Sequence, residues 1–306
     1  MNMINPIFIV VSFMINLITI AIILYEFYIK QNLLRKKNRA TIAASIFLIL
    51  IPVSLSISCI TAINSPNADI WRIVTLLITT VGFLILTRCF IIYIEGIESV
   101  SMDVVKAIVG VLEAGDPNLD GHSLHVQRLS MLLYEFLPQN YKLLINPYNL
   151  KCASLLLDIG KLGVPRSIIN KSGKLRKEEW DLMRRHPEIG VKILKQIPSF
   201  SEILPWIKYH HERVDGSGYY HLASSEIPIE SRIIAIADTY SALTMNRSYK
   251  ASLPYEDAIA ELKLCAGSQL DRELVEIFCS IPIRRIESCM TDVLETMKCY
   301  EEENFR

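Results

Sequence analysis

H-H-E-R-V-D-G-S-G-Y-Y, residues 210–220, says more about this 306-residue chain than any other stretch. Its two adjacent histidines follow an apolar segment, and neutral imidazole nitrogens are common ligands of transition metals. Both rings can bind one metal only where the backbone bends, and the run Asp215-Gly216-Ser217-Gly218 supplies such a turn. The alternative is a surface loop that carries two solvated histidines. The rest of the sequence decides between these two interpretations.

Composition divides the chain into two parts. Residues 1–94 consist mainly of Ile, Leu, Val and Phe, whereas the residues from about 98 onward carry most of the charge and all six histidines. A chain of this length is long enough for more than one domain. We therefore expect a membrane domain over residues 1–97 and a soluble domain over residues 98–306.

Three apolar runs in the first part, residues 6–28, 42–63 and 70–92, are each close to the roughly 20 residues that cross a bilayer core. The first run has neither the basic start nor the small-residue cleavage site of a signal peptide, so we expect it to stay attached. The loop at residues 29–41 is rich in Lys and Arg, whereas residues 64–69 contain neither. Because basic loops remain in the cytoplasm, the N-terminus is predicted outside and the soluble domain inside.

Charge and cysteine content exclude two classes of protein. The formal net charge is zero, and the soluble part has no basic patch interleaved with aromatic residues, so a nucleic-acid polymer is not an expected partner. The seven cysteines show no C-x-x-C spacing, which argues against a zinc ribbon or a disulfide framework.

The soluble part shows apolar residues at helical spacing, and no stretch alternates with period two for long enough to predict a sheet. Helices are expected over Leu124–Leu137, Asn149–Leu157, Glu178–Arg185, Pro187–Ile197, Glu202–Tyr209, Ile229–Thr244, Tyr255–Cys265 and Asp271–Cys279. The predicted fold class is all-α, with three transmembrane helices followed by a cytoplasmic all-helical domain.

A further helix is expected over Ile91–Leu112, where apolar residues recur every three, four and seven positions. A narrow apolar seam on a helix that leaves the membrane predicts pairing with a second copy of the chain. The same seam is equally consistent with packing on the soluble domain. Both interpretations stay open from the sequence.

Polar residues next to apolar helical runs point to a metal centre. Asp158 in L-L-L-D-I-G-K and Asp238 in I-A-I-A-D-T-Y are expected to be buried, and an unpaired buried carboxylate is costly. A metal shared with nearby histidines would compensate both. Histidine nitrogen with carboxylate oxygen favours iron or manganese, with zinc or nickel as alternatives, over calcium. Taken singly, each of these residues is equally compatible with a helix cap or a hydrogen-bonded core group.

The motifs in this order resemble the HD-GYP family, a branch of the HD phosphohydrolases, over roughly Val105–Ile281. The segments that carry the resemblance are G-H-S at 121–123, D-I-G-K-L-G-V-P at 158–165, H-P-E-I-G at 186–190, H-H-E-R-x-D-G-x-G-Y at 210–219 and R-I-I-A-I-A-D-x-Y-x-A-L-T at 232–244. The resemblance implies an all-α domain that hydrolyses cyclic di-GMP or a related nucleotide in bacteria. With the predicted spans, it places the protein in the bacterial inner membrane.

The resemblance also implies roles for particular residues. Asp158 would bridge two metals, with Lys161 near the scissile phosphate. Arg247 and Lys250 would contact nucleotide phosphates, and Gly218 with Tyr219 would shape the recognition loop. The implied metal ligands are His186, His210 and His211, which with Asp158 complete one site, and His122 and Asp238, which hold the other.

Two departures from the family pattern matter, and the first of them bears on the second metal. Leu157 precedes Asp158 where the family has the histidine of its His-Asp pair, and Tyr220 stands where the family has the proline of G-Y-P. Asn246 and Ser248 are lesser departures beside Arg247. His125, one helical turn after His122, is a candidate replacement ligand, and the alternative is a packing or solvated residue.

Three functions are consistent with these residues. The first is a membrane-anchored, metal-dependent phosphodiesterase for cyclic di-GMP with an impaired second metal site. The second is a catalytically inactive signalling or receptor module of the same fold, which binds metal and nucleotide or protein partners. The third is an HD hydrolase that acts on another nucleotide or phosphoester.

Overall fold

The computed structural model describes residues 81–82, 102–110, 121–171, 173–245 and 252–304. Within these ranges, no helix combines the length and apolar character that a bilayer crossing requires. The three predicted spans lie outside the described residues, apart from residues 81–82. The chain from Met102 onward forms one compact unit.

The described part of this unit is helical, and its one β feature is an isolated bridge between Ala266 and Leu270. The helices are α1 (102–110), α2 (His122–Phe136), α3 (Gln139–Lys142), α4 (Pro147–Leu156), α5 (Arg166–Ile169), α6 (Lys177–Met183), α7 (His186–Leu194), α8 (Leu204–Lys208), α9 (Ile229–Thr244), α10 (Tyr255–Cys265), α11 (Arg272–Ser280) and α12 (Ile283–Asn304). Short 3-10 turns cover Ile159–Gly163, Pro198–Phe200 and Ser224–Glu226. The all-α prediction is confirmed for these residues.

Helix α2 lies at the centre of the unit and packs against α4, α9 and α12. Its Val126, Leu129 and Leu133 are fully buried, as their three- and four-residue spacing predicts. The opposing face of α9 contributes Ile233 and Ala237, which are also fully buried. This packing holds α2, α4 and α9 side by side, and it places His122 on α2, Asp158 just after α4 and Asp238 on α9.

Most predicted helices are present with ends shifted by a few residues. The predicted Ile229–Thr244 and Tyr255–Cys265 helices have the bounds of α9 and α10. Helix α2 starts two residues before the expected Leu124, after Gly121 adopts φ of 72°. Helix α11 starts one residue later than expected because Asp271 is its N-cap and accepts a hydrogen bond from Leu274 N at 3.2 Å.

Helix α12 was not among the predicted helices. Its surface is mostly charged, but Ile286, Cys289 and Val293 recur at three- and four-residue spacing and are buried. The spacing was therefore a usable signal.

Helix α1 is the described part of the predicted Ile91–Leu112 helix. Met102, Val105 and Val109 are buried in the common hydrophobic core, whereas Val104 and Ile108 are exposed. One face of this helix thus packs on the rest of the unit, which is one of the two arrangements expected from the sequence. Pairing with a second chain stays a prediction.

Candidate metal centre

Three histidines converge from two segments of the unit. His186 begins α7, and His210 with His211 follows α8. One ring nitrogen from each of the three histidines lies within 4.8 Å of the other two. His210 and His211 place their ring centroids 4.0 Å apart, so the backbone does bend at this pair as predicted. A solvated surface pair is wrong for His210, which is 1% exposed.

Backbone carbonyls fix how two of these rings are protonated. His186 Nδ1 donates to Met183 O at 2.8 Å, and His210 Nδ1 donates to Ile207 O at 2.6 Å. Because a carbonyl can only accept, each neutral ring carries its lone pair on Nε2. The two Nε2 atoms lie 3.4 Å apart. Two lone pairs that face each other in a buried site favour a cation between them.

Burial keeps two of these histidines, His186 and His211, neutral. It lowers the pKa of His186 to about 4, although the adjacent Asp158 carboxylate acts in the opposite direction. Burial, with His210 and His186 nearby, also holds the pKa of His211 well below its ordinary value. Neutral imidazole is the form that binds metal, so the rings need no proton loss near pH 7.

Asp158 joins the same cluster from the other side. It lies between the end of α4 and the 3-10 turn, with Oδ1 3.4 Å from His186 Nε2 and Oδ2 2.7 Å from Lys161 Nζ. Burial alone would raise the pKa of this carboxyl, but Lys161 and the nearby histidines outweigh it and hold the pKa well below its usual range. Asp158 is therefore an anion at the edge of the histidine cluster.

Gly160 permits the close approach of the 3-10 turn to α7. A Cβ at this position would lie 1.7 Å from the carbonyl oxygen of His186, a distance that no side chain can adopt. The glycine therefore sets the distance between Asp158 and His186. The D-I-G-K motif needs its glycine for packing as well as for its turn.

His122 and Asp238 form a second pair, with His122 Nε2 3.1 Å from Asp238 Oδ1. Contact with His122 and the nearby His211 overcomes the effect of burial and holds the pKa of Asp238 below its ordinary value. Ser241 Oγ lies 3.0 Å from His122 Nδ1 and 3.0 Å from His125 Nδ1. The pair thus belongs to a chain of polar groups between α2 and α9.

His125 is buried at 1% exposure, so a solvated residue is the wrong interpretation. Burial and the neighbouring His122 lower the pKa of His125 to about 3. Its Nδ1 contact is to Ser241, and its ring lies 6.5 Å from the ring of Tyr240. Its described contacts are those of a packing residue, and a role as a replacement ligand stays a prediction.

Leu157 is fully buried and belongs to the common hydrophobic core. An aliphatic side chain offers no ligand atom to a metal. At the second site, the predicted ligands other than Asp158 are therefore His122 and Asp238.

The loop after the histidine pair is shaped by Glu212. This buried carboxylate accepts hydrogen bonds from Tyr220 N at 2.6 Å and from Leu222 N at 2.9 Å. Gly218 is required here, since a Cβ would lie 2.7 Å from Glu212 Cα. The loop brings the Tyr219 ring to 4.8 Å from the His211 ring.

Tyr220, in the position of the family's proline, packs away from the histidines. Its ring lies 5.6 Å from the ring of Tyr209, and Lys208 Nζ lies 4.9 Å from its centroid. Its backbone N–H donates to Glu212, a hydrogen bond that proline cannot make.

Not every predicted site residue can be placed. Arg247 and Lys250, the predicted phosphate contacts, lie outside the described residues, as do Asn246 and Ser248. Conversely, no sequence pattern predicted a site role for Ser241, Glu212 or Arg184, which the fold brings to the site. Serine, glutamate and arginine are common on surfaces, and only the hydrogen bonds of Glu212 and Ser241 and the ring contact of Arg184 distinguish them.

The cluster suits a transition metal by its donor chemistry. Three neutral imidazoles and a carboxylate are the ligands that iron, manganese and zinc accept. The carbonyl contacts of His186 and His210 are the kind of outer hydrogen bond that orients metal-binding histidines. Lys161 adds a fixed positive charge beside the carboxylate, where an anionic substrate would be attracted.

Comparison with known proteins agrees with these motifs. A family described as HD domain matches residues 142–274, a range that includes Asp158, the three clustered histidines and Asp238. A cyclic di-GMP phosphodiesterase of Thermotoga maritima is 40% identical over 151 residues, which cover 48% of this chain and 39% of that protein. A 3'3'-cGAMP-specific phosphodiesterase 2 of Vibrio cholerae is 41% identical over 159 residues, covering 50% and 30%.

A cyclic di-GMP phosphodiesterase of Vibrio cholerae is 33% identical over 191 residues, which cover 58% of this chain and 39% of that protein. The chain thus spans well under half the length of each of these three relatives.

Proposed function

We infer that the chain belongs to the HD-GYP branch of the HD domains, and we propose that it is a metal-dependent phosphodiesterase of cyclic di-GMP or a related cyclic dinucleotide. The observation that carries the proposal is the 3.4 Å approach of the Nε2 atoms of His186 and His210 beside the Asp158 carboxylate. The names of the relatives supply the substrate class.

The residues present fit the metal that this function needs. His186, His210 and His211 with Asp158 would hold one ion, and iron or manganese is the proposed occupant, with zinc or nickel as alternatives. Bound divalent ions lower the pKa of a coordinated water toward neutrality and polarise a phosphoryl oxygen. His186 and His210 keep their rings oriented through Met183 O and Ile207 O.

Lys161 has two tasks in this proposal. Its ammonium group holds Asp158 Oδ2 at 2.7 Å and so fixes the orientation of the carboxylate. The same charge faces an incoming phosphate, whose negative charge grows as the bond to the leaving oxygen breaks. Because Lys161 is largely shielded from water, with 18% of its side chain exposed, its attraction for the phosphate is stronger than that of a surface lysine.

The second metal site is the weaker one in this proposal. His122 and Asp238 are in hydrogen-bond contact and would share the ion with Asp158, and the fully buried Leu157 leaves the family's histidine position without a ligand atom. The loss of a residue that merely supports a metal ligand costs about 10- to 100-fold in metal affinity or activity. The absence of a direct ligand is expected to cost at least as much.

Leu157 also favours a second candidate function, a catalytically inactive module that keeps the first metal and binds nucleotide or protein partners. The histidine cluster is complete without residue 157, so metal binding and catalysis can be separated. A third candidate is hydrolysis of a nucleotide or phosphoester other than a cyclic dinucleotide. A substrate panel distinguishes it from the first.

We propose further that residues 1–97 anchor the protein in the bacterial inner membrane by three spans, with the N-terminus outside and the metal centre in the cytoplasm. The hydropathy and the loop charges described above support this arrangement. A homodimer through the helix that begins in the third span is part of the same proposal, and the exposed Val104 and Ile108 support it.

The test of the activity uses the full chain in detergent, loaded with iron or manganese under reducing conditions and incubated with cyclic di-GMP and 3'3'-cGAMP. The proposal predicts a linear dinucleotide product that the His210→Ala variant does not form. His221→Asn is the matched control, since His221 is exposed and its φ of 59° suits asparagine. Turnover that persists in His210→Ala, or none in the wild type, would refute the activity.

A further inference from the structure

Arg184 lies at the edge of the histidine cluster, and no described carboxylate forms an ion pair with it. It directly follows α6 and lies two residues before His186. Its guanidinium carbon lies 4.7 Å from the centroid of the Tyr219 ring. Among the described residues, no carboxylate lies within ion-pair distance of it, and its buried Nε–H has no hydrogen-bond partner.

This arrangement leaves the guanidinium partly removed from water, with the Tyr219 side chain against it. A buried donor that lacks a partner, as Arg184 Nε–H does, is costly. The contact with the Tyr219 ring is a cation–π interaction, which repays part of this cost. A charge in such surroundings attracts an anion more strongly than a fully hydrated surface arginine does.

Tyr219 cannot act as the counter-ion. A tyrosine phenol, with an ordinary pKa of about 10, is neutral near pH 7. Tyr219 therefore offers Arg184 an aromatic ring face and no negative charge. Lys208, also near this loop, contacts the rings of Tyr209 and Tyr220 instead.

The position of Arg184 relative to the histidines limits what it can bind. The guanidinium and the histidine cluster meet at one aromatic ring, because the Tyr219 ring lies 4.7 Å from the guanidinium carbon of Arg184 and 4.8 Å from the His211 ring. A phosphate held by the metal ligands and Lys161 would therefore have a second positive charge near it, on Arg184. A cyclic dinucleotide carries two phosphodiesters, and guanidinium binds phosphate oxygens through paired N–H groups.

We propose that Arg184, supported by the Tyr219 ring, binds the phosphodiester of the substrate that is not cleaved. This inference rests on the proposed function and deepens it, since it gives the site a preference for substrates with two phosphates over those with one. Arg184 is a binding residue in this role, and it acts in addition to the predicted contacts of Arg247 and Lys250.

The test compares two substrates on the full-length, manganese-loaded protein in detergent: cyclic di-GMP, with two phosphodiesters, and bis(p-nitrophenyl) phosphate, with one. Arg184→Gln is expected to raise KM for cyclic di-GMP by about 10- to 100-fold, the range for a hydrogen bond to a charged group. Its kcat for cyclic di-GMP, its metal content and its kcat/KM for bis(p-nitrophenyl) phosphate should stay unchanged. Arg184→Lys, which keeps the charge and loses the paired donors, should give a smaller rise.

Arg185→Gln is the matched control, because Arg185 is the next residue, is exposed and has no part in the site. An equal loss with both substrates, or a loss of metal, would show that Arg184 only holds the Tyr219 loop in place, and would overturn the proposal. Unchanged kinetics of Arg184→Gln would overturn it too.

The proposal can also be separated from the activity on which it rests. If the wild type hydrolyses neither substrate, the proposed function fails, and calorimetric binding of cyclic di-GMP to the metal-loaded protein decides about Arg184. Binding that Arg184→Gln weakens by the same 10- to 100-fold would still support the subsite. A wild type that does not bind, or binding that the variant leaves unchanged, would overturn it.

Discussion

Leu157 is the residue on which the second metal depends. It is fully buried at the end of α4, next to Asp158. We predict that Leu157→His supplies a ligand to His122 and Asp238, raises bound metal from one to two ions per chain, and increases the rate of cyclic di-GMP hydrolysis about 10- to 100-fold. Elemental analysis and a rate measurement on the same sample check both parts.

Leu156→His is the control for this variant, since Leu156 is the preceding residue and is buried to the same degree. A histidine there has no metal to bind and should only destabilise the fold. An unchanged metal content in Leu157→His would mean that residue 157 does not govern the second site.

The lowered pKa of His125 makes the stability of the metal-free protein depend on pH. Its pKa is lowered from 6.5 to about 3, so the unfolded chain takes up this proton first as the pH falls. The stability associated with neutral His125 is complete above pH 6.5 and is lost progressively toward pH 3. Between pH 8 and pH 5 this loss amounts to about 2 kcal/mol in the free energy of unfolding.

The measurement is chemical denaturation of the metal-free protein at both pH values, for the wild type and for His125→Gln. The variant should lose about 2 kcal/mol less than the wild type over this interval, whatever its absolute stability. Equal losses in the two proteins would show that His125 titrates normally in the folded state.

The type of each residue explains which parts of the site could be predicted from the sequence. Histidines and buried aspartates are few in this chain, and His186, His210 and His211 could therefore be grouped before the fold was known. Arg184 could not, because its role depends on the position of the Tyr219 ring, a residue far away in sequence. Leu157 was noticed only through the family pattern, since a leucine in an apolar helix is unremarkable by itself.

Among the helices, α1 packs on the core of its unit through one face. Val105 is 2% exposed and Val104 is 54% exposed, so neighbouring residues of the same type have opposite environments. We predict that Val105→Ala lowers the free energy of unfolding by about 1 to 3 kcal/mol through lost burial and a cavity. Urea denaturation of the full chain in detergent measures it.

Val104→Ala provides the control on the same helix and should change stability by less than about 0.5 kcal/mol. Equal effects of the two substitutions would mean that α1 does not pack on the unit in solution. If Val104→Ala instead disrupts self-association without affecting stability, the exposed face of α1 is the dimer seam.

Local capping signals were not always used in placing the ends of the predicted helices. The start of α4 was predicted two residues late, at Asn149, although Asn146 and Pro147 mark it, with the Asn146 side chain accepting from Tyr148 N at 3.0 Å. Helix α12 was missed because most of its positions face solvent and only a sparse apolar stripe reveals it. The short helices α3 and α5, of four residues each, are below the length at which periodicity can be recognised.

At the scale of the whole molecule, the proposed membrane domain gives a direct prediction. The full chain should sediment with bacterial membranes and resist extraction by high salt, because three apolar spans hold it by hydrophobic burial rather than by charge. Residues 98–306 expressed alone should stay in the supernatant. Release of the full chain by salt would contradict integral anchoring.

Whether the protein hydrolyses a phosphodiester with its bound metal can be decided by a metal titration. Metal-free full-length protein in detergent is supplied with increasing manganese or iron under reducing conditions, and bound metal and the hydrolysis of cyclic di-GMP are followed together. We predict that hydrolysis begins only as metal fills the site of His186, His210, His211 and Asp158, and that a chelator abolishes it. Metal bound at this site with no hydrolysis at any occupancy would contradict the claim and identify the protein as an inactive metal-binding module.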